Sequence, residues 1–266
     1  MLNQITPLIL TYNEEPNIAR TLSKLAWARA VVIVDSHSSD GTRDAAVAQH
    51  PGVKWFERAF TEHSEQWNFG LEQTGINTEW VLALDADFVL TDALVDELTK
   101  LAPDAGVNGY EASFVYCISG QPLRGAAYPP VVVLYRRAAA KYLQDGHTQR
   151  IRVAGAVKPL VHHILHDDRK PLSRWLASQI RYMRLEAEKL KNMPVSQLTA
   201  ADRVRRMVVI APPLMFLYCL IVKGGVLDGW RGVYYALQRT TAELILSLNI
   251  VDRLVHRNDR GSRNVR

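Results

Sequence analysis

Short apolar runs alternate with polar stretches of helical period through the first hundred residues. Ile5–Leu10, Val31–Val34 and Trp80–Leu84 each read as a buried strand, and 53–57 reads as a brief one. Between them Pro16 opens a helix with Ile18, Leu22 and Leu25 on one face. Further helices are predicted over about 43–49 and 64–74. Thr91 or Asp92 caps another over 93–101, which Pro103 ends. Strands alternating with helices predict a mainly parallel sheet covered on both faces.

After Gly109 the pattern changes. Tyr110–Ile118, Val131–Tyr135 and Ile151–Val153 are strand-like without long helices between them, which predicts an antiparallel or mixed extension of the sheet. From Pro171 the chain turns helical. Leu172, Leu176, Ile180, Met183, Ala187 and Leu190 form an apolar stripe, with Arg174, Arg181, Arg184 and Lys191 mostly elsewhere. Met207–Val222 carries no charge over sixteen residues, too few for the roughly 20 a span needs, and Pro212-Pro213 is expected to break it. It reads as an interfacial, re-entrant or buried element. A last helix is predicted over 230–251, with Trp230, Val233, Leu237, Leu244, Leu248 and Val251 roughly on one side. This divides the chain into an α/β domain (1–168), a basic helical region (169–256) and a disordered tail (257–266).

The 266 residues are 48% hydrophobic and 22% charged, which excludes disorder as the main state. Two cysteines, Cys117 and Cys219, cannot build a disulfide framework or a cysteine-rich zinc module. The N-terminus lacks the features of a signal peptide, so a cytoplasmic chain is expected. The net charge of +5 is uneven: residues 1–166 carry −4 and residues 167–266 carry +9. A basic C-terminal section points to an anionic partner, a nucleic acid or a membrane face. The basic residues lack aromatic interleaving and no zinc or RNP motif accompanies them, which argues against nucleic acid.

Three strand ends carry polar clusters, and ligands of such sheets bind beyond the carboxyl ends of the strands. The first is Thr11-Tyr12-Asn13-Glu14-Glu15, either a turn or a grip on base and ribose. The second is Asp35-Ser36-His37-Ser38-Ser39-Asp40-Gly41-Thr42. Here Asp35 suits the N–H and O–H donors of a nucleoside, and Asp40 or Thr42 reads as a helix cap. The third is Asp85-Ala86-Asp87. Two carboxylates two apart in extended chain point the same way and suit Mg²⁺ or Mn²⁺ that also holds diphosphate oxygens.

In order and spacing these three clusters resemble glycosyltransferase family 2, over roughly residues 4–160. The resemblance implies the GT-A fold and an inverting transfer from a nucleoside-diphosphate sugar, usually a UDP-sugar. It implies that Thr11, Tyr12, Asn13, Glu14, Asp35 and Asp40 belong to the nucleotide-binding end. Asp87 would ligate the metal, and Asp85 would bind ribose, the metal or its diphosphate. Together with Trp80-Val81-Leu82-Ala83-Leu84, the Gly224–Gly232 segment resembles the branch with lipopolysaccharide-core glucosyltransferases. The Gln-x-x-Arg-Trp motif and the several membrane helices of processive synthases are missing, which implies transfer of a single sugar.

The family's base follows its last sheet strands, where this chain reads Tyr142–Arg150. Thr148 stands where a His-Glu pair would place its glutamate. Asp145 is the first choice for base and His147 the second; His147 as a third metal ligand, a diphosphate contact or part of a polar turn stays open. His162, His163, His166, Asp167 and Asp168 form a further cluster, metal-like by composition; for His166 a second-shell or surface role is expected, with a place near the diphosphate left open. Gln66 and Asn68 are candidates to approach the nucleotide, and Trp67 is expected in the core. The basic helices imply an acceptor borne on the inner membrane face: a lipid-linked oligosaccharide, a polyprenyl phosphate or a lipopolysaccharide core. Packing on the domain or on a second subunit is the alternative. Rival readings are a sugar-phosphate nucleotidyltransferase, although Thr6–Asn17 lacks its glycine- and arginine-rich loop, and a non-catalytic nucleotide- or carbohydrate-binding module.

Overall fold

The structure is a computed structural model that describes residues 1–145 and 148–263, with the side chains of Asp145, Thr148, Leu254 and 256–263 left aside. The chain divides into two compact units: Met1–Pro122 with Tyr128–Lys170, and Leu123–Ala127 with Pro171–Arg266.

The first unit contains β1 (Ile5–Thr11), α1 (Ile18–Ser23), β2 (Val31–Asp35), α2 (Thr42–Gln49), β3 (Val53–Glu57) and α3 (His63–Gln73). Then come β4 (Trp80–Asp85), β5 (Phe88–Leu90), α4 (Asp92–Lys100), β6 (Val107–Ala112), β7 (Phe114–Ile118), β8 (Gln121–Pro122) and β9 (Val131–Arg136). The unit closes with β10 (Ala140–Asp145), β11 (Thr148–Val153), β12 (Ala156–Pro159) and β13 (Ile164–His166).

The main sheet has the order β12-β6-β9-β4-β1-β2-β3. All its strands run one way except β9, which pairs antiparallel with both β4 and β6. A second sheet, β5-β13-β7-β8, and the β10–β11 hairpin stand beside it. The mainly parallel sheet and its mixed extension are therefore both present. The single strand expected over 110–118 is two, β6 and β7, which break at Ser113 and join different sheets.

Alternation along the strands fills both faces. Ile5, Ile9, Ile33, Leu82 and Leu84 pack with Leu22 of α1 and with Leu94 and Leu98 of α4. On the other face Leu8, Val32, Val34 and Val81 pack with Trp67 and Leu71 of α3. Every residue of β2 is buried, and each such apolar side chain stabilises the fold by about 1.5–3 kcal/mol. Helix α1 starts two residues after Pro16, because Asn17 and Ile18 still donate to the Glu14 carbonyl in a turn. Thr91 caps α4, accepting from the Leu94 N–H at 3.2 Å. Gly41, not Asp40 or Thr42, is the N-cap of α2, although Asp40 Oδ1 accepts the Thr42 N–H at 3.1 Å.

The second unit holds α5 (Leu172–Asn192), α6 (Ala200–Arg206), α7 (Ala211–Leu217), a π-helical turn (Tyr218–Val222) and α8 (Trp230–Arg263). Pro212-Pro213 marks a break in the uncharged segment, as expected: 207–210 are turn, and the prolines sit in the first turn of α7, where a missing N–H costs nothing. A buried charge network ties three helices. Arg205 of α6 donates to Glu243 of α8 at 2.9 and 3.0 Å and lies 3.7 Å from Glu186 of α5. Gly232 lets α8 start against the preceding turn: a Cβ there would stand 1.8 Å from the Gly225 carbonyl. The α8 stripe read from the sequence faces outward. Trp230 is 61% exposed and Leu248 67%, while the packed face carries Tyr235, Ala236, Ala242, Glu243, Leu246 and Ser247.

Candidate active site

The registers explain why the three polar clusters meet. Thr11 at the end of β1 stands opposite Asp35 at the end of β2, and Leu10 stands opposite Asp85 at the end of β4. Three neighbouring parallel strands thus stop together, and their loops share one edge of the sheet.

The first two loops are stitched to each other. Asp35 is buried, and its Oδ1 accepts from Thr11 Oγ1 at 2.7 Å and from Ser38 Oγ at 2.6 Å. Its Oδ2 accepts from the Ser38 N–H at 2.7 Å. A carboxylate has about four acceptor positions, so roughly one remains for a ligand. Asn13 takes a left-handed φ of 54°, which Asn tolerates. Its N–H donates to Ser38 Oγ at 2.6 Å and its Oδ1 accepts from the Ser39 N–H at 2.6 Å. Tyr12 is half exposed at this rim, and Asp40 is occupied with Thr42 and the Glu15 N–H.

Glu14 turns inward. Its Oε1 accepts from Lys170 Nζ at 2.7 Å and its Oε2 from Asn17 Nδ2 at 2.8 Å. Burial pushes its carboxyl up, to about 7, against the lowering effect of Lys170. Burial alone would lower the Lys170 ammonium, but Asp87, Glu14 and Asp168 outweigh it and hold the proton on. Asn17 is fully buried and is the hub of this corner. Its Nδ2 also donates to Asp168 Oδ1 at 3.0 Å, and its Oδ1 accepts from the Arg169 N–H and from Arg20, both at 2.9 Å. The sequence reading passed Asn17 over, because a polar residue after Pro16 carries no mark of burial.

Asp85 ends β4, but Ala86 and Asp87 form a turn into β5 rather than extended chain. Thr21 Oγ1 pins this turn by donating to the Ala86 carbonyl at 2.7 Å. Asp85 feels the charge of Asp87, and both carboxylates feel those of His166 and Lys170. Burial, then the Asp87 charge, pushes Asp85 up to about 6. Burial also opposes charge on Asp87, but His166 outweighs it and holds that carboxyl down at about 2.

His166, expected in a second-shell or surface role with a place near the diphosphate left open, is buried against Asp87. Strand β13 lies between β5 and β7, with His166 opposite Phe88 and Tyr116. Its Nε2 lies 3.3 Å from Asp87 Oδ2, and its ring packs among Phe88, Tyr116 and Tyr128 with centroids 4.8–5.2 Å away. Its Nδ1 is buried without a partner. Burial would lower its pKa, but Asp87 and Asp85 raise it. The rest of that histidine–aspartate cluster disperses. Asp167 binds Arg169 and the Gly120 N–H, Asp168 binds Asn17 and Lys170, and the His162 N–H donates to Glu97 of α4.

Two carboxylates and an imidazole suit Mg²⁺ or Mn²⁺, and such ions take one or two carboxylates and complete their shell with phosphate oxygens and water. Among the described residues no three acidic, histidine or cysteine side chains already stand in a coordinating group. Asp87 and His166 are a converging pair with Asp85 beside them, so the donor set fits a cation shared with a substrate.

Of the base candidates, only Asp145, the last residue of β10, is among the described residues. Asp145 pairs with Thr148 by its backbone, and Gly146 and His147 lie outside the described residues. Asn68 of α3 clamps the hairpin's root, donating to the Tyr142 carbonyl and accepting its N–H, both at 3.0 Å. Trp67 stacks on Tyr142 at 5.2 Å, in the core as expected. Gln66 is buried and bonds Ser36 Oγ and the Arg58 carbonyl at 3.0 Å, supporting the loop after β2.

Comparison with known proteins agrees with the fold. Residues 8–156 match the family described as Glycosyl transferase family 2. The lipopolysaccharide core biosynthesis glycosyltransferase LpsC of Rhizobium meliloti (strain 1021) is 26% identical over 255 residues, 87% of this chain and 88% of that protein. An uncharacterized glycosyltransferase of Rickettsia felis is 33% identical over 98 residues, 36% of this chain and only 33% of that protein. The crystal structure of S. aureus TarS 1-349 in complex with UDP-GlcNAc has a TM-score of 0.50 at 15% identity, covering 96% of this chain and 92% of that one. That likeness concerns the fold, which is of the GT-A kind.

Proposed function

The chain belongs to glycosyl transferase family 2, and on that premise we propose that it moves one sugar from a UDP-sugar to a hydroxyl of a lipid-linked or lipopolysaccharide-type acceptor at the cytoplasmic membrane face. The observation that carries the reading is the 3.3 Å pairing of Asp87 with His166, just past the in-register ends of β1, β2 and β4, where Asp85 ends β4. In this proposal Asp35, with its one remaining acceptor position, and the Thr11–Asn13 rim receive the nucleoside, and Glu14 and Asp40 shape the loops that hold it.

Asp87 and His166 would hold a divalent cation, with Asp85 beside it as ligand or as ribose contact. A cation held there neutralises charge building on the leaving diphosphate. The acceptor oxygen attacks the anomeric carbon as the bond to the diphosphate breaks, and configuration inverts. The acceptor's proton passes to a base, for which Asp145 is the first candidate and His147 the second. Lys170, beside Glu14 and close enough to act on Asp85 and Asp87, adds positive charge to the same corner. The LpsC likeness along nearly the whole chain supports an envelope glycan acceptor.

The test is a thermal-shift panel of UDP- and other nucleotide sugars with and without Mn²⁺. A ligand of the folded state raises the melting point with occupancy. A UDP-sugar is expected to raise it in the presence of Mn²⁺ and much less with Asp87→Asn. The reading is wrong if no nucleotide sugar stabilises the wild-type chain.

A further inference from the structure

The second unit leaves an apolar surface of unusual composition open. From α7 through the π-helical turn, Leu214, Leu217, Ile221 and Val222 recur at helical spacing on one exposed face, and Leu227 and Trp230 continue it. Ile221 is 66% and Val222 71% exposed. Upstream, Val208 holds a left-handed φ of 54°, a strained state for a β-branched residue. Ser247 of α8 fixes it by donating to the Val208 carbonyl at 2.8 Å. The next residue, Val209, is 80% exposed.

The charges around the face have one sign. Residues 203–242 contain six basic side chains and a single acid, Asp228. That acid is turned inward, where it accepts the Arg124 N–H at 3.0 Å. Arg205 and Arg206 are spent on Glu243 and on the Leu190 and Met193 carbonyls. Lys223, Arg231 and Arg239 have no acidic partner among the described residues, and the Nε atoms of both arginines are buried without a hydrogen bond. Arg231 and Arg239 stand eight apart on α8, so they share a side of it. The exposed aromatics carry cations: Lys223 lies 5.6 Å from the Tyr218 ring and Arg231 4.7 Å from the Trp230 ring. Aromatic rings with basic neighbours at the border of an apolar face are how side chains settle at the headgroup level.

We propose that this face, from Val209 to Trp230 with Lys223, Arg231 and Arg239 around it, docks on the surface of an anionic phospholipid bilayer. It names the contact behind the membrane-face part of the function proposed above, and it stands or falls without the transferase chemistry. The element lies on the bilayer rather than crossing it. Ala211–Val222 spans roughly 18 Å at 1.5 Å per residue, against a hydrocarbon core of about 30 Å. No helix among the described residues is long and apolar enough to cross. A second copy is a poorer occupant, because a two-fold dimer sets the same patch against itself and would bring the unpaired cations together.

The experiment is flotation of the full chain with phosphatidylcholine vesicles, with and without 30% phosphatidylglycerol, at low and high NaCl. The chain is expected to float with the anionic vesicles and not with the neutral ones, and to detach as salt rises. Each basic residue near an anionic leaflet contributes about fivefold in affinity, so Arg231→Gln with Arg239→Gln should weaken binding about 25-fold. Lys223→Gln, whose side chain makes no hydrogen bond among the described residues, should weaken it about fivefold and covers the case in which the double variant melts early. Ile221→Asp should abolish flotation while the donor-induced melting shift stays as in wild type. The proposal is overturned if the wild-type chain floats with neither vesicle, or with both equally. It is also overturned if light scattering shows a dimer that Ile221→Asp turns into a monomer.

Discussion

The two units spend their apolar residues in opposite directions. In the first, Val31, Val32, Ile33 and Val34 are all buried, and the polar groups that matter are gathered past the strand ends. In the second, the longest apolar stripe of α8 faces out, and the buried face of the same helix carries Glu243 and Ser247. An α/β sheet needs both faces covered, so its hydrophobic pattern and its core coincide. A helical unit needs only one stripe to fold, and a second stripe is free for a partner.

Substitution inside each pattern separates the two uses. Ile33→Ala in β2 should cost about 2–5 kcal/mol of unfolding free energy in urea melts. Leu248→Ala on the outward stripe of α8 should stay within about 0.5 kcal/mol. Equal losses would mean that the α8 stripe is core after all.

At the strand ends the sensitive quantity is rate. Asp87→Asn should lower turnover 10²- to 10³-fold, as loss of an electrostatic stabiliser does, with the fold retained by circular dichroism. Smaller is the effect of Asn68→Ala. It removes two hydrogen bonds at the hairpin root and should cost about 1–3 kcal/mol. If Asp145 at the end of β10 is the base, turnover should fall further than that loss of stability explains.

The mildest probe uses the two cysteines, one in each unit. Burial, the largest influence, pushes the Cys117 thiol up to about 11 and raises Cys219 as well. At pH 8 both should resist iodoacetamide until the chain opens, because the thiolate is the nucleophile. Mass mapping of which cysteine reacts first in rising urea reports which unit opens first.

The parallel strands were legible because a strand buried on both faces is an unbroken β-branched run. The three polar clusters were legible because they directly follow such runs. Strand β10 was not, since Ala140–Asp145 is mostly polar or small and its place depends on Asn68, far away in sequence. Strand β5 is three residues long and gains its partner only when β13 arrives. That pairing is also what brings His166 to Asp87. Its neighbours His162 and His163 looked the same in sequence, and only the register with Phe88 distinguishes it. In the second unit the apolar stripe of α8 was legible, but the direction it faces was not. Hydropathy says that a face avoids water; it does not say what covers it.

The central claim is that Asp87 and His166 share one divalent cation with the diphosphate of a nucleotide. Titration of Mn²⁺ into the chain with UDP present, followed by electron paramagnetic resonance of the free ion, tests it directly. One bound Mn²⁺ is expected in the wild type, with affinity lowered on the order of tenfold or more by Asp87→Asn and again by His166→Ala. Unchanged Mn²⁺ binding in both variants would contradict the account.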